Sequence, residues 1–123
     1  MHFWKYCGAG NDFVILENFD GSIAPERYAA LAAALCREHF SVGADGLMVL
    51  EPPAQGGDCR MRFYNRDGST AEMCGNGARC LCRHCHDRGL ASGPASFACT
   101  LRRRACAAPI WSWASLASRT PLC

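Results

Sequence analysis

The chain has 123 residues and a mass of 13.4 kDa, room for one domain, with half of its residues hydrophobic and a fifth charged. No apolar run approaches the roughly 18 residues that a membrane span needs, and a formal net charge of +2 is too small to imply nucleic acid by itself. These totals exclude a membrane protein, a disordered chain and a multidomain enzyme.

The N-terminus, Met1-His2-Phe3-Trp4-Lys5-Tyr6, lacks a basic region followed by an apolar core, so no secretory signal is read there and a cytoplasmic protein is expected. A strand is predicted over residues 3–6 and a loop over Gly8-Ala9-Gly10-Asn11-Asp12. A second, buried strand follows over 13–17, where β-branched and aromatic residues dominate. Asp20-Gly21-Ser22 turns the chain, and Pro25 suits a first helical position. Tyr28, Leu31, Ala32, Leu35 and His39 then recur on one helical face.

The glycine-punctuated loop 41–46 leads into a buried strand at 47–51, stopped by Pro52-Pro53. Cys59, Met61 and Phe63 alternate with Arg60, Arg62 and Tyr64, the period of a two-faced strand. After the turn Asn65-Arg66-Asp67-Gly68-Ser69 and the segment Cys74-Gly75-Asn76-Gly77, a helix is predicted from Ala78 to about Arg88, ended by Gly89. Strands alternating with two helices make this an α+β domain.

The charge divides unevenly. Residues 1–88 hold 9 basic and 11 acidic side chains, whereas 89–123 hold 4 basic and no acidic ones. Ten cysteines without a secretory signal point to buried small side chains, metal ligands or a reactive thiol rather than a disulfide scaffold. Lys5 is the single lysine and sits in a predicted strand, which argues against pyridoxal phosphate.

Cys74-Gly75-Asn76-Gly77 carries the chemistry. The first N–H groups of a helix have no internal partner and point forward, and two glycines let a ligand approach them. The helix dipole adds partial positive charge, which seats a carboxylate and lowers the pKa of a cysteine at the same place. A cysteine near a helix start is most often packing. Its context here is more specific: Asn65-x-Asp67-Gly68-Ser69-x4-Cys74-Gly75-Asn76-Gly77-x-Arg79 resembles the signature of diaminopimelate epimerases at every fixed position. Gly8-Ala9-Gly10-Asn11-Asp12-Phe13 and His39-Phe40-Ser41-Val42-Gly43-Ala44-Asp45-Gly46 resemble the family's two upstream glycine loops, so the likeness covers roughly residues 1–90.

The resemblance implies a cofactor-independent enzyme that interconverts LL- and meso-diaminopimelate on the route to lysine. In that family two cysteines act on opposite faces of one α-carbon. By position, Cys74 is one acid–base residue, the N–H groups of Gly75 and Asn76 hold the reacting α-carboxylate, and Asn11 and Asn65 bind the distal end. Arg79 is expected as a helix-surface or salt-bridging residue. Gly46 stands where some members carry a substrate-touching glutamine, and Cys7 where histidine is common. The implied partner is a small-molecule substrate, with neither nucleic acid nor membrane, and a homodimer is left open.

The family has two similar halves, each a mixed strand barrel around a central helix, and this chain matches one. No second Cys-Gly-(Ser/Thr)-Gly loop follows Gly89, and Cys99, Cys106 and Cys123 lack the glycine neighbours of an anion seat. Residues 1–93 are therefore read as an epimerase-like domain and 94–123 as an unmatched basic tail, frameshifted or disordered. Arg102-Arg103-Arg104 and the Ala/Ser/Arg/Pro/Cys bias suggest a shifted frame near residue 93, which the gene sequence would test. The chain by itself is expected to be weak or inactive. Two other readings remain at this point: a zinc module using Cys82-x2-Cys85 with Cys36-x2-His39, and an inert remnant.

Overall fold

Phe13, Val14, Ile15 and Leu16, and Leu47, Met48, Val49 and Leu50, are all buried because their strands lie at the centre of one sheet with a helix on each face. The computed structural model describes residues 1–53, 58–71 and 75–90, together with the backbone of Cys99–Thr100. Five strands form the sheet: β1 (Trp4–Gly8), β2 (Asn11–Glu17), β3 (Gly46–Glu51), β4 (Cys59–Asn65) and β5 (Cys99–Thr100), paired in that order. β1 and β2 are antiparallel, β2 and β3 parallel, β3 and β4 antiparallel, and β4 and β5 parallel.

Each parallel pair is bridged by a helix. A 3-10 turn at Pro25–Arg27 leads into α1 (Tyr28–Leu35) between β2 and β3, and α2 (Gly75–Asp87) lies between β4 and β5. Alternation along the strands sorts the core into two layers. Phe13, Ile15, Met48, Leu50, Cys59 and Met61 pack against Cys80, Leu81 and Cys85 of α2. Val14, Leu16, Leu47, Val49 and Tyr64 pack on the other face against Tyr28, Ala32 and Cys36. Full burial of each large aliphatic side chain contributes about 1.5–3 kcal/mol. No helix among the described residues is long and apolar enough to cross a membrane.

The α+β reading holds, and four local expectations are corrected. The segment 8–12 is not an open loop: β1 pairs with β2 through to Gly8 opposite Asn11, leaving a two-residue hairpin with Ala9 at φ 52° and Gly10 at φ 88°. α1 ends at Leu35, so His39 leaves the predicted apolar face and sits exposed with φ 65°. α2 begins at Gly75 rather than at Ala78, so Gly75, Asn76 and Gly77 form its first turn. Cys99 and Thr100, where no strand periodicity is read, add a short strand beside β4.

The end of α2 follows the expected pattern. Gly89 adopts φ 64°, its N–H donates to the His86 carbonyl at 3.2 Å, and the Leu90 N–H reaches the Cys85 carbonyl at 2.9 Å. That pair of bonds is the left-handed glycine cap, and Leu90 closes it by packing on the α2 layer.

Candidate active site

The strand directions bring every motif to one end of the sheet. β2 starts there at Asn11, β3 starts there at Gly46, β4 ends there at Asn65, and α2 starts after it at Gly75. Backbone contacts tie the loops together at this end: the Asp45 N–H donates to the Asp12 carbonyl at 2.8 Å, and the Arg66 N–H to the Asp45 carbonyl at 3.1 Å.

Two of the predicted substrate residues touch. Asn76, on the first turn of α2, donates from Nδ2 to Asn11 Oδ1 at 2.9 Å. Asn11 in turn donates from Nδ2 to Asp45 Oδ2 at 3.2 Å, an oxygen that also accepts the Asp12 N–H at 3.0 Å. Gly8 makes the approach of β1 to α2 close, since a Cβ there would stand 2.8 Å from Cys80 Sγ and 3.5 Å from the Asn76 carbonyl oxygen. Gly75 is exposed and Asn76 half-buried, so the unpaired end of the helix faces outward.

Asn65 lies at the same end with its side chain turned into its own loop. Its Nδ2 donates to Ser69 Oγ at 3.0 Å and its N–H to the Ser69 carbonyl at 2.8 Å. Asp67 holds the other side of the turn, accepting from the Ser69 N–H and hydroxyl, which keep its carboxyl below the usual aspartate range. Cys74, the predicted acid–base residue, lies outside the described residues and directly precedes Gly75 in the chain.

Gly46 leaves no room for the side chain that some relatives carry: a Cβ there would meet Phe63 Cε2 at 2.6 Å and the Tyr64 carbonyl oxygen at 3.0 Å. Arg79 makes no ion pair among the described residues, and its Nε is buried without a hydrogen-bond partner. Cys7 is disulfide-bonded, against the expectation of reduced thiols. Cys36, Cys59, Cys80 and Cys85 are buried and Cys82 is half-buried, none of them in a disulfide.

The cysteine–histidine pairs of the zinc reading do not meet. Cys36 packs in the α1 layer, whereas Cys82 and Cys85 pack in the α2 layer across the sheet. No group of three His, Cys, Asp or Glu side chains among the described residues is arranged to hold a metal. His84 is committed elsewhere: it is buried, its Nε2 lies 2.9 Å from Glu17 Oε1 and its Nδ1 lies 3.2 Å from the Tyr6 hydroxyl. Burial pushes its pKa down despite Glu17, so the ring is neutral at pH 7, with Nε2–H donating to the carboxylate and Nδ1 accepting from Tyr6. Although within ion-pair distance, the contact is a hydrogen bond donated by a neutral ring to the carboxylate.

A cleft of about 410 Å³ opens beside the Asn11 hairpin, lined among others by Lys5, Asp12, Glu38, His39 and Asp45. Its charges are largely paired: Lys5 with Asp12 at 3.3 Å, and Arg66, beside the cleft, with Glu38 at 2.7 Å. The role of Asp45 at the junction was missed from sequence. Its only signal was its place in a glycine-flanked loop of the resemblance.

Comparison with known proteins places the chain in a family. The family model for diaminopimelate epimerase matches residues 3–100. A diaminopimelate epimerase of Pelotomaculum thermopropionicum is 47% identical over 90 residues, covering 73% of this chain and 32% of the relative. A chloroplastic diaminopimelate epimerase of Oryza sativa subsp. japonica is 44% identical over 97 residues, covering 79% of this chain and 27% of the relative. The chain thus spans about a third of the length of the curated relatives it matches. Among solved structures, a Bacillus anthracis phenazine biosynthesis protein of the PhzF family superposes with a TM-score of 0.64 at 20% identity, over 81% of this chain and 32% of that one, a likeness of fold. With a family model matched over most of its length, this chain belongs to the diaminopimelate epimerase family.

Proposed function

We propose that the Asn11–Asn76 end of the sheet is one side of an active site that interconverts LL- and meso-diaminopimelate. The observation that carries the reading is the Asn76–Asn11 hydrogen bond of 2.9 Å, which joins the hairpin motif to the first turn of α2. Cys74 stands one residue before that turn in the sequence. Its thiolate takes the α-proton, and the electron pair left on carbon is stabilised by the adjacent carboxylate, held on the Gly75 and Asn76 N–H groups. A second thiol, supplied from outside residues 1–90, returns a proton to the opposite face, and inversion results. Sulfur moves only protons, so the reaction calls for no cofactor. Asn11 and Asn65 bind the distal amino-acid end.

The same reading takes the sheet and α2 as part of a strand barrel around a central helix, with the boundary expected near residue 93 moved past β5 at Cys99–Thr100 and the rest of the tail outside the domain. It treats the protein as cytoplasmic, with a small-molecule substrate and no nucleic-acid partner, and leaves a homodimer open. Because residues 91–123 contain no second cysteine–glycine loop, the chain alone is expected to invert diaminopimelate weakly or not at all.

A chimera tests the function. Residues 1–90 of this chain replace the matching segment of the Pelotomaculum thermopropionicum relative, to which they are 47% identical. The expected chimera epimerises diaminopimelate and incorporates solvent deuterium at the α-carbon, and Cys74→Ala lowers the rate about a hundredfold or more. A folded but inactive chimera, or one indifferent to Cys74→Ala, would contradict the proposal.

A further inference from the structure

We infer that Asp45 is a positioning residue whose carboxylate fixes the amide orientation of Asn11 and, through Asn11, that of Asn76. The inference rests on the proposed function for its significance to substrate. Its geometry stands independently.

A carboxylate only accepts hydrogen bonds, whereas an Asn amide presents a donor on one side and an acceptor on the other. Asp45 Oδ2 is tied first to a backbone donor, the Asp12 N–H at 3.0 Å, which cannot turn away. The same oxygen stands 3.2 Å from the Asn11 amide, so Asn11 must present Nδ2 to it and turn Oδ1 to the opposite side. Asn76 meets that Oδ1 at 2.9 Å and must therefore present its own Nδ2, with its Oδ1 directed away from Asn11. One acceptor-only group at the head of the chain thus sets the polarity of both amides. Whether a ligand at this pair meets N–H donors or carbonyl acceptors is decided at Asp45.

Asp45 is built to hold that place. Its N–H donates to Asp12 and its carbonyl accepts from Arg66, so main-chain bonds clamp the residue between the hairpin and the β4 turn. Its other oxygen, Oδ1, faces the Arg66 guanidinium at 3.8 Å, while Arg66 is itself anchored on Glu38 at 2.7 Å. Asp45 is only half-buried and the Asn11 and Asn76 side chains make no contribution to the apolar layers. The chain of three side chains orients groups rather than supporting the core.

The test uses the full 123-residue chain and the solvent-exchange rates of the Nδ2 hydrogens of Asn11 and Asn76, read by NMR magnetisation transfer. Asp45→Ala is expected to raise both rates about tenfold or more, the change implied by losing a hydrogen bond to a charged acceptor. Asp45→Asn is expected to stay close to wild type, because its carboxamide oxygen still accepts from the Asp12 N–H and so still faces Asn11. Slow exchange at Val49 and Leu50 reports that the sheet is intact. An Asn76 rate unchanged in a folded Asp45→Ala, or an Asp45→Asn as fast as Asp45→Ala, would overturn the inference. If Asp45→Ala loses the sheet, Asp45→Asn and Asn11→Ala decide: Asn76 stays slow in the first and becomes fast in the second, and equal rates in the two overturn the inference. Diaminopimelate added to the wild type separates the two ideas. Shifts at Asn11 and Asn76 support the substrate reading, and their absence sinks that reading while the Asp45 coupling stands or falls on the exchange rates.

Discussion

Tyr28 donates its hydroxyl to Glu51 Oε1 at 2.7 Å, joining the first residue of α1 to the last residue of β3. The hydroxyl also accepts from Asn18 Nδ2 at 2.6 Å, and Asn18 reaches back to the Ile23 backbone. Arg62 Nε holds the other carboxylate oxygen of Glu51 at 3.0 Å. Burial, with Glu51 beside it, pushes the Tyr28 pKa up to about 12, so the hydroxyl remains a donor throughout the useful pH range. Tyr28→Phe keeps the ring and removes the link to a charged acceptor, which costs about 1.5–3 kcal/mol. Urea denaturation should show a lowered midpoint with an unchanged slope, and an unchanged midpoint would contradict the assignment.

Gly46→Ala tests the packing at the motif end. The added methyl would meet Phe63 Cε2 at 2.6 Å and Phe63 Cζ and the Tyr64 carbonyl oxygen at 3.0 Å. Phe63 is held edge-on by Phe13 at a centroid distance of 5.8 Å, so the ring has limited freedom to yield. Overpacking of this kind costs about 1–3 kcal/mol. Thermal denaturation should show the loss, and Phe63→Leu in the same chain should recover part of it; a neutral Gly46→Ala would contradict the close contact.

His84 gives the fold an acid sensitivity of known sign. Burial lowers its pKa below the ordinary 6.5, so the unfolded chain binds this proton more readily. Stability is fully present above pH 6.5 and falls as pH drops from there toward the lowered folded value, by at most about 1.4 kcal/mol per pH unit. Glu17 adds a second loss at lower pH. Burial opposes its charge, but hydrogen bonds from Arg88 and His84 outweigh this and hold its pKa below 4.5, so its contribution fades as pH falls through that lowered value. Denaturation midpoints between pH 7 and pH 5 should decline in the wild type and decline less in His84→Gln. Parallel curves would place the acid sensitivity elsewhere.

The chain's own pattern carries much of this fold. β2 and β3 are legible because burial on both faces demands apolar runs, and β4 because Cys59 and Met61 alternate with Arg60 and Arg62. Other features escape local reading. Ala9 at φ 52° gives no sequence warning of a tight hairpin, since asparagine or glycine is the usual signal. Gly75-Asn76-Gly77 reads as loop because glycine is a poor helix former, yet those residues open α2. The apolar spacing suggests extending α1 to His39, but the chain leaves the helix at Leu35. At this end of the sheet Asn11 and Asn76 come together, while Asn65 donates its Nδ2 to Ser69. The Asp45–Asn11 bond joins residues 34 positions apart and is invisible to any local pattern.

The proposal that Cys74, one residue before α2 in the sequence, is a poised thiol can be checked by timed alkylation of the reduced chain with iodoacetamide at pH 7. Cys36 is the internal reference, because burial pushes its thiol up to about 11 and keeps it unreactive. Cys74 is expected to be modified first, about tenfold or more faster than an unstructured cysteine, as a thiol pKa lowered toward neutrality implies, and diaminopimelate is expected to slow the reaction. A Cys74 no faster than cysteine in a short peptide, with no protection by diaminopimelate, would contradict it.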